Sequence, residues 1–149
     1  MKVFLDTNVI LEYFTVREEY VTVQRLFERL HMDGDDLSMS VGSFYTIVFL
    51  TDKVLRKQTS LRGASRVNAL RDIMERILRT VAVAEHDGES LLRGVMNIQF
   101  KDIEDGCQYE LAKKTGCDVL VTFNTSDFPS GEDTPVSVVT PLAFLSDTV

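Results

Sequence analysis

Residues 101–123 read KDIEDGCQYELAKKTGCDVLVTF, and the fold turns on how this stretch is parsed. Asp102, Glu104 and Asp105 crowd its start, Lys113 and Lys114 close the polar part, and Gly116 follows. Acids early, cations late and a glycine stop are the marks of a helix aligned with its own dipole, here over roughly 104–115. The apolar run DVLVTF (118–123) then reads as a buried strand. A helix feeding a strand in this way is the repeating unit of a parallel sheet.

The same alternation extends in both directions. Short apolar runs at KVFLD (2–6), LSMS (37–40), VAVAE (81–85) and VSVVT (136–140) read as four further strands. Helical stretches lie between them, near 19–32, through the forties into the fifties, and near 63–80 and 87–97. In the 63–80 segment Val67, Leu70, Met74, Ile77 and Val81 recur at spacings of three and four, one apolar face, with Arg62, Arg66, Arg76 and Arg79 mostly off it. The runs at 2–6 and 118–123 are the most uniformly apolar, as central strands covered on both faces should be. The order implies an α/β fold of three α/β/α layers around a mostly parallel five-stranded sheet. With 149 residues, 44% hydrophobic composition, three prolines, eight glycines and no linker or repeat, one domain spanning 1–149 is expected.

The N-terminal apolar run is broken by Asp6 and Asn8 and has no small-residue cleavage site, so it reads as neither signal peptide nor membrane span, and a cytoplasmic chain is expected. Cys107 and Cys117 are too few for a disulfide framework and have no zinc-site spacing, so both read as reduced thiols. The net charge of −7 argues against nucleic acid as a whole-surface partner. The distribution argues otherwise: Lys53 to Arg79 holds eight of the sixteen basic residues and two of the twenty-three acidic ones. Such asymmetry marks a local basic patch, or else an ordinary solvated helix face.

In an open α/β sheet, functional groups gather beyond the carboxyl ends of the strands. Asp6 follows the first strand, Thr122, Asn124 and Asp127 follow the fourth, and a crossover helix beginning near Glu104 starts at the same edge. Asp6, Asp105 and Asp127 are therefore expected to converge although about a hundred residues separate the first two. Carboxylates without a cationic partner disfavour one another's charge. A hard divalent cation reverses that, and an all-oxygen donor set suits Mg²⁺ or Mn²⁺ rather than zinc. For Asp102 and Glu104 the simpler reading is capping and dipole complementation at a helix start. At least one carboxylate of the stretch is expected to hold the metal.

Three stretches, VFLDTNVILEYF (3–14), FKDIEDGCQYELAKKTGCDVLVTFNTSDF (100–128) and VVTPLAFL (138–145), occur in the order and at the distances of the PIN domain family, which the chain resembles end to end. The resemblance is to the family's bacterial branch with a DFEDALQ-like third motif. It implies a metal-dependent ribonuclease, and many bacterial members are toxins of type II toxin–antitoxin pairs. It further implies that Asp6, Asp105 and Asp127 are the metal-coordinating acids and that Asn8, Thr122 and Asn124 are polar supports. RNA, an antitoxin protein and a second copy of the chain are the partners in view; no membrane is.

One position departs from the family pattern. A glutamate is usual early in the second main helix, and here the place falls at Ser43 or Phe44, with no carboxylate anywhere from Leu37 to Thr51. Glu104, joined to the metal set, or Asp102 beside it would have to compensate. Arg62, Arg66, Arg76 and Arg79 are the candidate grip on an RNA backbone, and Phe44, Tyr45 and Phe49 read as core or interface aromatics rather than base-stacking ones. His86 reads as a helix-start residue. Two other classes stay open: a PIN-like domain without catalysis, serving as an RNA- or protein-binding module, and an α/β phosphotransfer protein. The haloacid-type phosphatase pattern places a second aspartate where this chain has Asn8.

Overall fold

The computed structural model describes residues 1–129 and 134–146. β1 (Lys2–Leu5) passes through Asp6 into α1 (Thr7–Phe14), followed by α2 (Tyr20–Asp33), β2 (Asp36–Ser40), α3 (Val41–Gln58) and α4 (Gly63–Thr80). Then come β3 (Ala82–Ala84), α5 (Gly88–Met96), α6 (Ile103–Lys114), β4 (Val119–Val121), a 3-10 turn at Thr125–Asp127, β5 (Ser137–Val139) and α7 (Pro141–Ser146). The strands form one sheet in the order β3-β2-β1-β4-β5, and every pairing is parallel. The three-layer α/β architecture expected from the sequence is the one observed, with β1 at its centre. Two helices were not anticipated. α1 begins one residue after β1, so strand and helix merge in the sequence into a single apolar run; α7 spans six residues, too few for a period to show.

Side chains alternate across the central strand and divide the core in two. Val3 and Leu5 of β1 join Val121 of β4 and Met39 of β2 in a cluster with Val9, Ile10, Leu26, Leu30, Ile47 and Ile77 from α1 to α4. Phe4 and Leu120, pointing the other way, pack with Tyr109, Leu111 and Ala112 of α6 and with Phe100 and Phe128. A strand buried on both faces has no solvated side to carry polar residues, which is why β1 and β4 read as unbroken apolar runs. No helix among the described residues is long and apolar enough to cross a membrane.

α6 owes its position to two glycines. A Cβ on Gly94 of α5 would sit 2.6 Å from the Cys107 Cα, and one on Gly106 would sit 2.8 Å from the Gly94 carbonyl oxygen. The α5 and α6 backbones therefore approach more closely than any side chain at either point would permit. Glu110, almost fully buried, is satisfied within α6 by Lys113 Nζ at 2.9 Å and across the same contact by Arg93 Nε of α5 at 3.5 Å. The packing fixes the acidic start of α6 relative to β1. Cys107 and Cys117 are both free thiols.

α4 runs for 18 residues, about 27 Å at 1.5 Å per residue, and leads directly into β3. Its C-terminal end thus lies at the amino edge of the sheet. The four arginines are spread along it rather than gathered. Arg62 donates to the Thr59 and Leu61 carbonyls, Arg66 pairs with Asp52 of α3 at 3.3 Å, Arg76 lies over the Phe14 ring, and Arg79 pairs with Glu75 at 2.6 Å. On α3, Phe44 is partly buried against the core, whereas Tyr45 and Phe49 are exposed, one turn apart.

Candidate active site

Asp6 occupies the N-cap position of α1 in extended conformation, yet its side chain makes no capping hydrogen bond. It turns instead to β4. Oδ2 accepts from Thr122 Oγ1 at 2.7 Å and from Asn8 Nδ2 at 2.7 Å. The fully buried Thr122 hydroxyl donates once and accepts twice, from Asn8 Nδ2 at 3.3 Å and from the Asn124 backbone N–H at 3.0 Å. Asn8 Oδ1 in turn accepts from the Phe123 N–H at 3.4 Å. The network ties the ends of the two central strands together and holds the Asp6 carboxylate in place. Asn124 takes part through its backbone. Burial nevertheless pushes the Asp6 pKa above the ordinary carboxylate range, outweighing hydrogen bonds from Thr122, Thr7, Gln108 and Asn8 that act the other way.

The start of α6 brings further acids to this edge. Asp102 is its N-cap, Oδ1 accepting from the Glu104 N–H at 2.7 Å. Asp105 is half-buried, and burial together with the charges of Asp6, Asp102, Asp127 and Glu104 pushes its pKa up to about 7. Glu104 is exposed along most of its length, but burial of its carboxylate and the charges of Asp102 and Asp6 raise it as well. Asp127 closes the 3-10 turn that follows β4. Asp6, Asp105 and Asp127, which lie more than 90 residues apart at the extremes, thus share one electrostatic field. None of the five acids has an ion-pair partner among the described residues.

Two features of the pocket were not read from the sequence. Gln108, 2% exposed, donates through Nε2 to Glu104 Oε1 at 3.4 Å and stands close enough to the Asp6 carboxylate to favour its charged form, while its own Oε1 has no hydrogen-bond partner. Its spacing of three and four from Asp105 and Glu104 placed it on their face of the helix, a signal the sequence did contain. The second feature lies where the family pattern puts a glutamate. Ser43 is fully buried there, its hydroxyl bonded to Thr7 Oγ1 and to Ser40 Oγ, both at 2.9 Å. A closed hydroxyl chain fills that position, and no α3 side chain adds charge to the pocket.

The donors are all oxygen and carry up to five negative charges, the chemistry of a hard divalent ion. Among the described residues no three acidic, His or Cys side chains meet closely enough to grip one ion as they stand. Mg²⁺ is undemanding in this respect, since it keeps several waters and takes one or two carboxylates directly. The residues suit a hydrated Mg²⁺ or Mn²⁺ ion.

Beside the pocket opens a groove that it shares through Asn8 and Asn124, walled by Glu12, Phe123, Val54, Gln58 and the loop 15–19. Glu12 Oε1 accepts from the Glu19 N–H at 2.6 Å and its carbonyl from the Arg17 N–H at 3.2 Å, pinning that loop to α1. Val16 there holds φ at +50°, a strained conformation for a β-branched residue. Arg17 is the cation of this groove. Of the four candidate arginines, Arg62 follows the groove residue Gln58 most closely along the chain, whereas Arg76 and Arg79 line a different groove with Phe27 and His31.

A family model described as PIN domain matches residues 2–126. Ribonuclease VapC1 of Aquifex aeolicus is 33% identical over 127 residues, which cover 84% of this chain and 83% of that protein. Among solved structures, VapBC-1 from nontypeable Haemophilus influenzae contains a chain matching at TM-score 0.64 and 18% identity, over 95% of this chain and 99% of the other. VapBC2 from Rickettsia felis, bound to a DNA fragment from its promoter, matches at TM-score 0.60 and 10% identity, over 94% and 98%. At those identities the two structures speak to the fold alone.

Proposed function

This chain belongs to the PIN domain family, and from that premise we propose that it is a divalent-metal-dependent endoribonuclease working as a single domain, with the pocket around Asp6 and Asp105 as its active site. The observation that carries the reading is the unpaired acid cluster at the carboxyl edge of the sheet. Four carboxylates near enough to raise the pKa of Asp105, with no ion-pair partner for any of the five among the described residues, are unfavourable unless something else supplies the charge.

Asp6, Asp105, Asp127 and Glu104 are the residues that would hold Mg²⁺ or Mn²⁺. When bound, the ion supplies an acidified water for attack on phosphorus and neutralises charge that builds on the phosphate oxygens. Thr122 and Asn8 fix the orientation of Asp6, so that one oxygen stays engaged and the carboxylate keeps a single direction. Asp105, with its pKa near 7, exchanges its proton for a cation at neutral pH more readily than it stands ionised alone. Arg17 and Gln58 line the groove that an incoming strand would enter, and Arg62 and Arg66, at the start of α4, are the next cations along the chain from Gln58. Single-stranded or looped RNA is the substrate class, because its bases and backbone can be splayed into a pocket set into a sheet edge, whereas those of a duplex are held in the helix. The likeness to Ribonuclease VapC1 supports the ribonuclease reading, and with it goes the proposal of a toxin role with an antitoxin protein as partner.

The second reading, a domain that binds RNA or protein without cutting, is favoured by one observation: Ser43 closes the position of the family's helix glutamate. Incubation of the purified protein with single-stranded RNA in Mn²⁺ or Mg²⁺, and in chelator, separates the two. Fragments that form with metal and vanish with chelator support the nuclease. Retention of RNA without cleavage in either ion supports the binding module.

A further inference from the structure

Among the acids of the pocket one buried side chain is neutral. Gln108 follows Glu104 by four residues on α6, so its amide hangs over the same face, and it reaches across the layer boundary to Asp6 at the end of the central strand. Beside two carboxylates only the N–H end of an amide is attractive, which directs Nε2 toward them and turns Oε1 away. That Oε1 has no partner. A leucine or methionine of similar volume would fill the site without leaving a buried carbonyl unsatisfied, so packing alone gives no reason for glutamine here.

We infer that Gln108 is a positioning residue of the proposed nuclease site: its amide bridges Asp6 and Glu104, bringing an α6 acid into the cation set in place of the helix acid that α3 lacks. The inference rests on the nuclease reading. Such a bridge joins acids from two separate parts of the fold, the end of β1 and the start of α6: Gln108 Nε2 bonds Glu104 and stands beside Asp6, whose own side-chain bonds come from Asn8 and Thr122. Hydrogen-bonded neighbours of ligating carboxylates typically change metal affinity about 10- to 100-fold when removed.

The test is a titration calorimetry series with Mn²⁺ alone on the full chain, beside thermal melting in chelator, for wild type, Gln108→Leu, Gln108→Met, Glu104→Gln and the double variant Glu104→Gln/Gln108→Leu. Both Gln108 variants should bind Mn²⁺ about tenfold more weakly while melting in chelator no lower than wild type. In the Glu104→Gln background the Gln108→Leu penalty should shrink to about threefold or less, because half of the bridge is already gone. A purely structural residue would lower the melting temperature and show no such coupling. Wild-type Mn²⁺ affinity in both Gln108 variants, or a large loss of apo stability in both, overturns the inference and leaves the nuclease reading standing. Failure of the wild type itself to bind Mn²⁺ removes the nuclease reading and the inference with it.

Discussion

Replacing Asp105 by Asn removes one charge from the most perturbed carboxylate of the pocket while keeping its size. Its pKa is pushed from an ordinary 3.8 to about 7. Three units at about 1.4 kcal/mol each set a ceiling of about 4 kcal/mol on the cost of ionising it in the fold. Solvent reaches a half-buried group and screens it, which brings the working figure to about 1–2 kcal/mol. In a chain of this length that corresponds to roughly 3–6 °C in melting temperature. The sign follows from linkage. A carboxyl raised in the folded state is stabilising below its unfolded value of 3.8, and that stability is lost as pH rises through 7. Asp105→Asn should therefore melt higher than wild type at pH 8 in chelator, with the gap narrowing as pH falls through 7 and closing near 4. Saturating Mn²⁺ should reverse the order, because the wild type gains by mass action what the variant cannot. Circular dichroism melts at pH 5, 6, 7 and 8, with chelator and with Mn²⁺, measure all of this. A variant that melts no higher than wild type at pH 8, or a gap that does not change with pH, would refute the claim that charge repulsion strains the pocket.

Gly94→Ala places a methyl group 2.6 Å from the Cys107 Cα, and since backbone cannot rotate aside, α5 and α6 must part. A loss of about 2–3 kcal/mol is expected in a denaturant titration, and metal affinity should fall with it because α6 carries Glu104 and Asp105. Changing Arg62 and Arg66 to Gln should flatten the salt dependence of RNA binding by about 0.7 in slope for each phosphate no longer neutralised, whereas the Arg76 and Arg79 pair, at the far end of α4, should have the smaller effect. Filter binding of a single-stranded oligonucleotide from about 50 to 200 mM salt checks it; equal slopes for all variants would leave the arginines as a solvated face.

The five strands were legible because parallel strands covered on both faces have to be apolar throughout, and α6 because its caps and charges sit where the helix dipole wants them. α1 was not, since Asp6 alone separates it from β1 and no turn residue punctuates the sequence. That Asp6 and Asp105 would stand at one edge of the sheet followed from topology, since each lies where a parallel strand ends or a crossover helix begins. Hydrogen-bond partners do not follow from topology. That Thr122 rather than a cation would hold Asp6, and that Gln108 would reach it from α6, depends on side-chain distances across two layers. The arginines illustrate the converse. Half of the chain's basic residues fall within 27 positions of sequence, but a helix about 27 Å long sets its two ends in different surroundings, and local pairing with Asp52 and Glu75 engages part of the charge.

Cleavage of a single-stranded RNA in Mn²⁺ by wild type, Asp6→Asn and Asp105→Asn, each run also in chelator, bears most directly on the central claim that these carboxylates form a metal-dependent active site. Fragments from wild type in Mn²⁺ only, with a loss of at least about a hundredfold in both variants at unchanged or higher apo stability, is the predicted result. Cleavage by wild type that survives both substitutions, or that continues in chelator, would contradict it.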